Sequence, residues 1–213
     1  MSPQYDLVLG THNRKKGEEL AALLAPYDFQ LMTLADFPSA LTVAETGDSF
    51  AENAALKATQ QARHLDRWVI GEDSGLSVDA LQGAPGVFSA RYSGETASDE
   101  SNNRYLLKQL ATTPLAQRNA HYTCHIAIAD PTGGIRLCCE SYCRGKIRLE
   151  GAGSAGFGYD PLFEIPEYHR TFGQLGDDVK SVLSHRARAI RRLLPELLQL
   201  ARSGDWNSPS QPS

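Results

Sequence analysis

The sequence predicts an α/β protein, because short apolar, strand-like segments alternate along the chain with longer segments whose leucines and alanines recur at helical spacing. The first such pair is residues 5–10 and 14–27, and the same alternation returns around residues 50–73. The chain has 213 residues, of which 41% are hydrophobic and 22% are charged, and these values are ordinary for a globular protein with a substantial core. We therefore expect one domain over residues 1–204, followed by a polar, disordered tail at 205–213.

Each predicted element carries a local signal. Asn13 precedes the first helix and Ser49 precedes the second, where their side chains can cap free backbone N–H groups, and Glu52 completes a capping box with Ser49. The segment between these helices, residues 36–48, is rich in Pro, Gly and Asp and is predicted as a loop. The other elements predicted after the first helix are a strand at 28–34, a helix at 50–65, a strand at 67–73, a helix at 98–110, a β-hairpin at 121–147 around Asp-Pro-Thr-Gly-Gly, and a helix at 184–201 that Pro195 should kink or split.

Composition and charge argue against several classes of protein. The net charge is −4 and the pI is about 5.9, whereas a nucleic-acid-binding domain usually has a basic excess. No apolar run approaches the roughly 20 residues that cross a membrane, and the opening residues MSPQYDLVLG lack the basic segment of a secretory signal. We therefore expect a cytoplasmic protein that binds neither nucleic acid nor membrane.

The cysteines do not predict a metal site. Cys124, Cys138, Cys139 and Cys143 lack the paired spacing that zinc sites use. Cys138 and Cys139 are neighbours on a predicted strand and should therefore face opposite sides of it. We predict that the cysteines are small apolar residues of the core and not ligands or disulfide partners.

The turn between the first strand and the first helix, GTHNRKK at residues 10–16, is a candidate phosphate-binding site. A strand-to-helix turn brings backbone N–H groups and the positive end of the helix dipole to one point. Thr11 and Asn13 add neutral donors, and Lys15 or Lys16 adds positive charge. The pattern is not that of a P-loop, and a capped surface helix with solvated lysines accounts for it equally well.

Phe50, Asn53 and Lys57 are three and four residues apart on the second predicted helix and therefore share one face. Polar Asn and Lys side chains beside Phe are unexpected if this face only packs against the core, so both are candidates for substrate binding. Simple exposure of Asn53 and Lys57 to solvent is the alternative interpretation.

Three acids predict a magnesium site. Glu72 and Asp73 stand at the end of a predicted strand, before a tight Ser-Gly turn that begins at Ser74. Glu45 lies in the loop that precedes the second predicted helix. Mg²⁺ takes hard oxygen ligands, usually one or two carboxylates together with water and substrate phosphate oxygens. The alternative is that Glu72 and Asp73 are surface acids or cap a helix.

The glycine-rich segment GAGSAGFGYDP, residues 151–161, is a candidate base-binding loop. Glycine permits a close approach of the backbone and positive φ, and Phe157 and Tyr159 carry rings that can stack on a planar base. Asp160, fixed before Pro161, can accept a hydrogen bond from a base N–H. A plain glycine-rich loop with a buried Phe is the alternative.

Cations gather at the start of the last predicted helix. If Ser184 caps this helix, His185 and Arg186 lie in its first turn, where positive charge is unfavourable against the helix dipole. Their presence, with Lys180 just upstream, favours an anionic or electron-rich ligand nearby. For a lone His at a helix start, a structural role is the more common one.

Together these stretches resemble the inosine triphosphate pyrophosphatase family, whose members hydrolyse noncanonical purine nucleoside triphosphates. The resemblance runs from residue 11 to residue 189, nearly the whole chain. It is carried, in order, by THNRKK, ETGDSFAENAALKA, EDSGLSVDALQGAPGVFSARY, GFGYDPLF and KSVLSHRARA. The family usually has Asp-Asp before Ser-Gly, whereas this chain has Glu72 and Asp73, so the second acid is kept and the role of Glu72 is open.

The resemblance implies an elongated, mixed central β-sheet flanked by helices, in two lobes with an active-site cleft between them, and a homodimer. It also implies Mg²⁺-dependent hydrolysis of ITP, dITP or XTP to the monophosphate and pyrophosphate. Asp73 matches the general base, Glu45 and Asp73 match the metal-associated acids, and Glu72 is a further candidate ligand. The expected substrate-binding residues are Thr11, His12, Asn13, Arg14, Lys15, Lys16, Asn53, Lys57, Ser74, Phe157, Gly158, Tyr159, Asp160, Lys180, His185 and Arg186.

Two other functions are compatible with parts of these motifs. One is a noncatalytic nucleotide sensor that retains the pocket, and the intact Glu45 and Asp73 argue against it. The other is a related pyrophosphatase for modified pyrimidine nucleotides, which the GFGYDP and SHR segments disfavour.

Overall fold

The computed structural model describes residues 5–204 and Trp206. Within them the chain forms one seven-stranded sheet with the strand order β2-β1-β3-β4-β5-β6-β7. The strands are β1 (Tyr5–Leu9), β2 (Phe29–Thr33), β3 (Val69–Val78), β4 (Asn119–Ala129), β5 (Ile135–Ile147), β6 (Phe163–Ile165) and β7 (Arg170–Thr171). β1 pairs in parallel with β2 and β3, whereas β6 is antiparallel to β5 and β7. The predicted mixed sheet is therefore confirmed.

Five α-helices accompany the sheet in the described part of the chain. They are α1 (Arg14–Leu24), α2 (Phe50–Leu65), α3 (Asp99–Gln109), α4 (Phe172–Leu183) and α5 (His185–Arg202). Leucines of α1 and α5 pack with apolar residues of β1, β3 and β4, and the small alanines of α2 pack against Val8 and Val69 in a separate cluster. Helices thus cover the sheet, as the alternating sequence pattern predicts.

The chain divides into two compact units. The first contains Met1–Asp73, Cys124–Ser141 and Ala189–Ser213, and the second contains Ser74–Thr123 and Tyr142–Arg188. The core of the first unit includes Leu7, Leu20, Ile70, Ile126 and Leu193, and that of the second includes Leu76, Leu106, Tyr122, Phe163 and Phe172. The first boundary between the two units along the sequence falls inside β3, after Asp73.

The capping signals hold with one change. The side-chain oxygen of Asn13 accepts a hydrogen bond from the backbone N–H of Lys16 at 3.1 Å, and that of Ser49 accepts from the N–H of Glu52 at 3.2 Å. The Glu52 carboxylate, however, accepts from the N–H of Asp48 at 2.7 Å and not from that of Ser49. The predicted box is thus shifted by one residue at its second bond.

The prediction that a strand ends at Asp73 in a sharp Ser-Gly turn is wrong. β3 continues for five residues beyond Asp73, to Val78. The physical reason is that Leu76 and Val78 are fully buried in the core of the second unit, so the extended backbone is held on both sides of the acidic pair. Glu72 and Asp73 therefore lie in the middle of a strand.

Three further differences concern the C-terminal half. The sequence patterns missed α4, whose segment contains two glycines, one of which, Gly176, is non-helical with φ 77°. They also missed the short strands β6 and β7. The last helix is not split, since α5 runs without interruption from His185 to Arg202 with Pro195 inside it.

No helix among the described residues is long and apolar enough to cross a membrane.

The predicted polar tail at 205–213 does not hold for Trp206. The ring of Trp206 is buried and stacks on Trp68 with centroids 4.1 Å apart, and its Nε1 donates to the Asp6 carbonyl at 3.1 Å. Residues 205 and 207–213 lie outside the described residues, and the prediction for them stays a prediction.

Candidate functional site

A glycine places the acidic pair of β3 against α2. A Cβ atom on Gly71 would collide with the backbone of α2 at Ala54 and Ala58, so only glycine allows this close approach. Because side chains alternate along a strand, Asp73 points to the same face as Gly71, toward α2, and Glu72 points to the other face.

Asp73 is a buried carboxylate surrounded by donors. One oxygen, Oδ1, lies 2.9 Å from Nζ of Lys57 and 4.0 Å from Nζ of Lys16, and the other accepts from Nδ2 of Asn53 at 3.3 Å. Burial raises the pKa of Asp73, and the two lysines offset part of that increase. Asp73 is thus held in place with its charge partly neutralised.

Lys57 connects the acids of two segments. Its ammonium lies 2.7 Å from Oε1 of Glu45, 2.9 Å from Oδ1 of Asp73 and 3.2 Å from the carbonyl oxygen of Glu72. Burial alone would lower the pKa of Lys57, but attraction to Asp73 and Glu45 outweighs it and raises the pKa. Lys57 therefore stays charged, and it is not the solvated surface lysine of the alternative interpretation.

Glu72 is completely buried on the opposite face of β3. Its Oε2 lies 3.2 Å from Nζ of Lys16, and its Oε1 accepts from the thiol of Cys124 at 3.5 Å. Glu72 is therefore neither a surface acid nor a helix cap, and in this structure it orients Lys16.

In the segment where α1 begins, the Lys16 side chain extends toward the acids of β3. Lys16 reaches Glu72 and Asp73, whereas Lys15 is exposed and Arg14 forms an exposed ion pair with Glu18 at 3.2 Å. The first turn of α1 contains no acidic residue, so the positive end of its dipole is open to an anion.

Two other side chains of that turn shape its backbone. Thr11 Oγ1 accepts from the N–H of Asn13 at 3.1 Å. Nε2 of His12 lies 2.8 Å from the Leu41 carbonyl, so that nitrogen carries the proton in this contact. His12 thus holds the loop that leads to Glu45.

Polar side chains at helical spacing on α2 hold the acidic loop. Asn53 Oδ1 accepts from the N–H of Gly47 at 2.9 Å, and the amide of Gln61 bonds both to the N–H and to the carbonyl of Leu41, at 3.1 and 2.6 Å. Gln61 was not predicted from the sequence. Its position four residues after Lys57, which itself follows Asn53 by four, is a signal that could have identified it.

The donor set suits a magnesium ion bound together with substrate. Among the described residues no group of three or more His, Cys, Asp and Glu side chains is arranged to hold a metal, so a cage made by protein alone is not present there. Glu45 Oε1 and Asp73 Oδ1 nevertheless lie 2.7 and 2.9 Å from the same nitrogen of Lys57. Two convergent carboxylates are what Mg²⁺ uses when phosphate oxygens and water complete its coordination.

The second unit holds the predicted base-binding residues. Asp160 is 2% exposed, and its Oδ2 accepts from Nζ of Lys180 at 2.6 Å and from the N–H of Phe157 at 2.8 Å. The Lys180 ammonium lies 4.1 Å from the centroid of the half-buried Phe157 ring, within cation–π range. Asp160 therefore fixes the loop in this structure, and its oxygen is already engaged.

Tyr159 differs from its prediction as a stacking platform. It is 3% exposed, its ring belongs to the core of the second unit, and its hydroxyl donates to the Ser89 carbonyl at 2.8 Å. Burial raises the pKa of this phenol. The ring fills the core, so Phe157 is the loop aromatic that has exposed surface.

The cations at the start of α5 are buried. Ser184 accepts from the N–H of Ala187 at 3.2 Å, which confirms the predicted cap. Arg186 is 1% exposed and donates to the Ser74 hydroxyl at 3.0 Å, and the His185 ring stacks on Tyr122 with centroids 4.7 Å apart. The backbone N–H and carbonyl of Gly158, the remaining predicted residue, are hydrogen-bonded by the α3 side chains of Asp99 and Asn103, neither of which was predicted from the sequence.

The predicted residues thus form two groups. Those of the first unit that contact one another are Lys16, Glu45, Asn53, Lys57, Glu72 and Asp73. Those of the second unit are Ser74 with Arg186, and Phe157 with Asp160 and Lys180.

Known proteins share this chain's sequence and fold. A profile of the Ham1 family matches residues 7–196. The dITP/XTP pyrophosphatase of Rhodopirellula baltica is 53% identical over 208 residues, which cover 98% of this chain and 100% of the relative. That of Desulforamulus reducens is 45% identical over 91% of this chain and 96% of the relative. The structure of a HAM1 protein from Coxiella burnetii gives a TM-score of 0.83 at 34% identity, covering 92% of this chain and 99% of that one.

In each comparison the similarity covers nearly the whole length of this chain and of the relative. The part of the chain that the family profile matches contains residues 11–189, over which the motifs of the resemblance are distributed. The predicted family relationship is therefore confirmed, and the chain belongs to the Ham1 family.

Proposed function

We propose that this protein is a pyrophosphatase that hydrolyses noncanonical purine nucleoside triphosphates, ITP, dITP and XTP, to the monophosphate and pyrophosphate. The observation that carries the proposal is the buried Asp73 carboxylate, which Lys16, Lys57 and Asn53 surround beside the open N-terminus of α1. The names of the relatives, dITP/XTP pyrophosphatases, support the same substrate class.

The first group binds the triphosphate. A triphosphate is a polyanion, and Lys16, Lys57 and the first turn of α1 supply positive charge in one region. Both ammonium groups contact carboxylates in this structure. When substrate binds, we expect them to exchange part of these contacts for phosphate oxygens, which makes the acids available for their own roles.

Asp73 acts as the general base. It takes a proton from the attacking water, and Asn53, on its other oxygen, keeps the carboxylate oriented. Glu45 and Asp73 are the residues that would hold Mg²⁺, with Glu72 kept as a weaker candidate because it points to the other face. When bound, the ion polarises phosphate oxygens and neutralises developing charge.

The second group recognises the base. Phe157 offers a ring for stacking, and Lys180 and Arg186 provide donors for the 6-keto oxygen that hypoxanthine and xanthine carry and adenine lacks. A site built around hydrogen bonds rejects an analogue that leaves buried groups unpaired. Guanine also has a 6-keto oxygen, so its exclusion must involve the 2-amino group.

A panel of triphosphates tests this function. Purified protein is given dITP, ITP, XTP, dATP, dGTP and dUTP, with Mg²⁺ and with chelator, and the products are separated. We expect pyrophosphate and monophosphate from the first three substrates only in the presence of Mg²⁺. Release of single phosphates, or equal rates on dATP, contradicts the proposal.

Two further properties belong to the proposal. We expect a homodimer, which sedimentation or light scattering at micromolar concentration measures. We also expect the protein to act in the cytoplasm, where the nucleotide pool lies and thiols stay reduced. The four free cysteines are consistent with that compartment.

A further inference from the structure

Two side chains of α3 hold the backbone of a single glycine in the base-binding loop. The N–H of Gly158 donates to Oδ2 of Asp99 at 2.9 Å, and the carbonyl of Gly158 accepts from Nδ2 of Asn103 at 2.9 Å. Asp99 and Asn103 are four residues apart on α3 and therefore neighbours on one helix face. That face satisfies both polar backbone groups of one loop residue.

Gly158, like Gly153 and Gly156 of the same loop, has a positive φ, and it lies between the two aromatic residues of the loop. Its φ is 61°, in the left-handed region that other residues rarely adopt. On one side it joins Phe157, whose ring lies under the Lys180 ammonium, and on the other it joins the buried Tyr159. A change of the Gly158 dihedral angles would turn the Phe157 ring away from Lys180, because Tyr159 is fixed in the core.

The helix that carries the pair is itself well fixed. Ser98 caps α3 in a box with Ser101, and Asp99 is the first helical residue, where a carboxylate is favoured by the dipole. The Oδ1 atom of Asn103 is buried and accepts no hydrogen bond from the described residues. The bond from Nδ2 to Gly158 is therefore the contact that orients this amide.

We propose that Asp99 and Asn103 are positioning residues that set purine selectivity by fixing Gly158, and with it the Phe157 ring. The inference rests on the proposed function, because it takes the loop as the part of the protein that contacts the base. Neither side chain takes part in hydrolysis, so the pair acts on KM and selectivity and leaves kcat nearly unchanged.

Two substitutions that conserve side-chain size and two truncations to Ala separate the hydrogen bonds from other effects. Asn103→Asp keeps the shape but turns an acceptor toward the Gly158 carbonyl, and Asp99→Ala removes the acceptor for the Gly158 N–H. Asp99→Asn keeps an acceptor oxygen and loses only the charge. Arg104→Ala is the matched control. Arg104 directly follows Asn103 on the same helix, and its guanidinium forms an exposed ion pair with Glu100 at 2.8 Å.

The first readout is the ratio of kcat/KM for dITP to that for dATP. We expect this ratio to fall about tenfold in Asn103→Asp and about threefold to tenfold in Asp99→Ala, which is the scale of one hydrogen bond. The loss lies in KM for dITP, with kcat within about twofold. Asp99→Asn and Arg104→Ala keep the wild-type ratio.

The second readout is hydrogen exchange of the backbone amides at residues 157–160 in the protein without substrate. Exchange should accelerate in Asn103→Asp and Asp99→Ala and stay unchanged in Arg104→Ala. Unchanged exchange overturns the inference that the pair fixes the loop, and accelerated exchange with an unchanged selectivity ratio overturns its role in selectivity. A wild-type enzyme without preference for dITP overturns the proposed function, a result distinguishable because the exchange readout does not depend on turnover.

Discussion

The two groups of candidate site residues are held in different ways. In the first unit, Asp73, Lys16 and Lys57 extend from β3, α1 and α2 and meet through direct contacts between opposite charges. In the second unit, Phe157 and Asp160 lie on a loop whose backbone is bonded by side chains of α3 and by the side chain of Asp160 itself. Charged groups on regular elements suit a reaction that needs fixed electrostatics, whereas a held loop suits recognition of one base among several. The first group should therefore control kcat and the second should control selectivity.

The largest effect is expected from Asp73→Asn, which keeps the shape of the side chain and removes the base. We expect kcat on dITP to fall about 10²- to 10⁴-fold, while binding of dITP is largely retained. Pyrophosphate release and calorimetric titration measure the two quantities. Asp79→Asn, a change at an exposed acid just after β3, serves as the control, and turnover of Asp73→Asn at the wild-type rate would remove Asp73 from the role of base.

The buried ion pair of Asp160 and Lys180 tests whether the second group controls selectivity or only stabilises the fold. Lys180→Met alone leaves a buried carboxylate without its cation and should lower the free energy of unfolding by about 3–5 kcal/mol. The double variant Asp160→Asn/Lys180→Met keeps an acceptor for the Phe157 N–H and removes both charges. We expect it to recover most of the stability, measured by thermal unfolding, but to prefer dITP over dATP about tenfold less. A double variant with wild-type preference would show that the pair only stabilises the fold.

A smaller effect is expected in the loop that carries Glu45. Gln61→Leu removes both hydrogen bonds to Leu41 at nearly constant volume, so the position of Glu45 becomes less defined. We expect kcat/KM to fall about threefold to tenfold, a higher Mg²⁺ concentration for half-maximal rate, and faster exchange of the Leu41 amide. Gln60→Leu, at an exposed position one residue earlier, is the control, and equal effects of the two changes would contradict the role of Gln61.

The smallest effect concerns the thiols. Cys138 is exposed, whereas Cys124, Cys139 and Cys143 are buried, and burial raises the pKa of Cys143 to about 11. Since the thiolate is the reactive form, iodoacetamide near pH 8 should modify Cys138 first. Peptide mass spectrometry measures the order, and we expect activity to be unchanged after this first modification. Earlier modification of Cys143 would mean that its region opens in solution.

The sequence predicted well those elements whose signals are local. Asn13 and Ser49 mark helix starts through their own side chains, and the apolar spacing of α2 follows from its packing on one face. The end of β3 could not be predicted in this way, because it depends on Leu76 and Val78 being buried by distant segments. A short run of acids, serine and glycine has the composition of a turn, and only the burial of the neighbouring apolar side chains shows that it is part of a strand.

The candidate site shows the same limit. Lys57 was proposed from its place on a helix face and Asp73 from its place at a predicted strand end, and the structure brings the two side chains to 2.9 Å from each other. Tyr159 was misjudged because neighbouring glycines do not reveal whether a ring faces the core. Gln61 and Asn103 were missed because each side chain forms hydrogen bonds with the backbone of a loop. The sequence of a helix does not show which loop will lie against it.

The most direct measurement compares dITP and dATP as substrates of one variant from each group. Lys57→Met changes the first group, and Asp160→Asn/Lys180→Met changes the second. We predict that Lys57→Met lowers kcat/KM for both nucleotides by the same large factor and leaves their ratio unchanged, whereas the double variant lowers the ratio and retains kcat on dITP. A changed ratio in Lys57→Met with an unchanged ratio in the double variant would contradict the division of chemistry and recognition between the two groups.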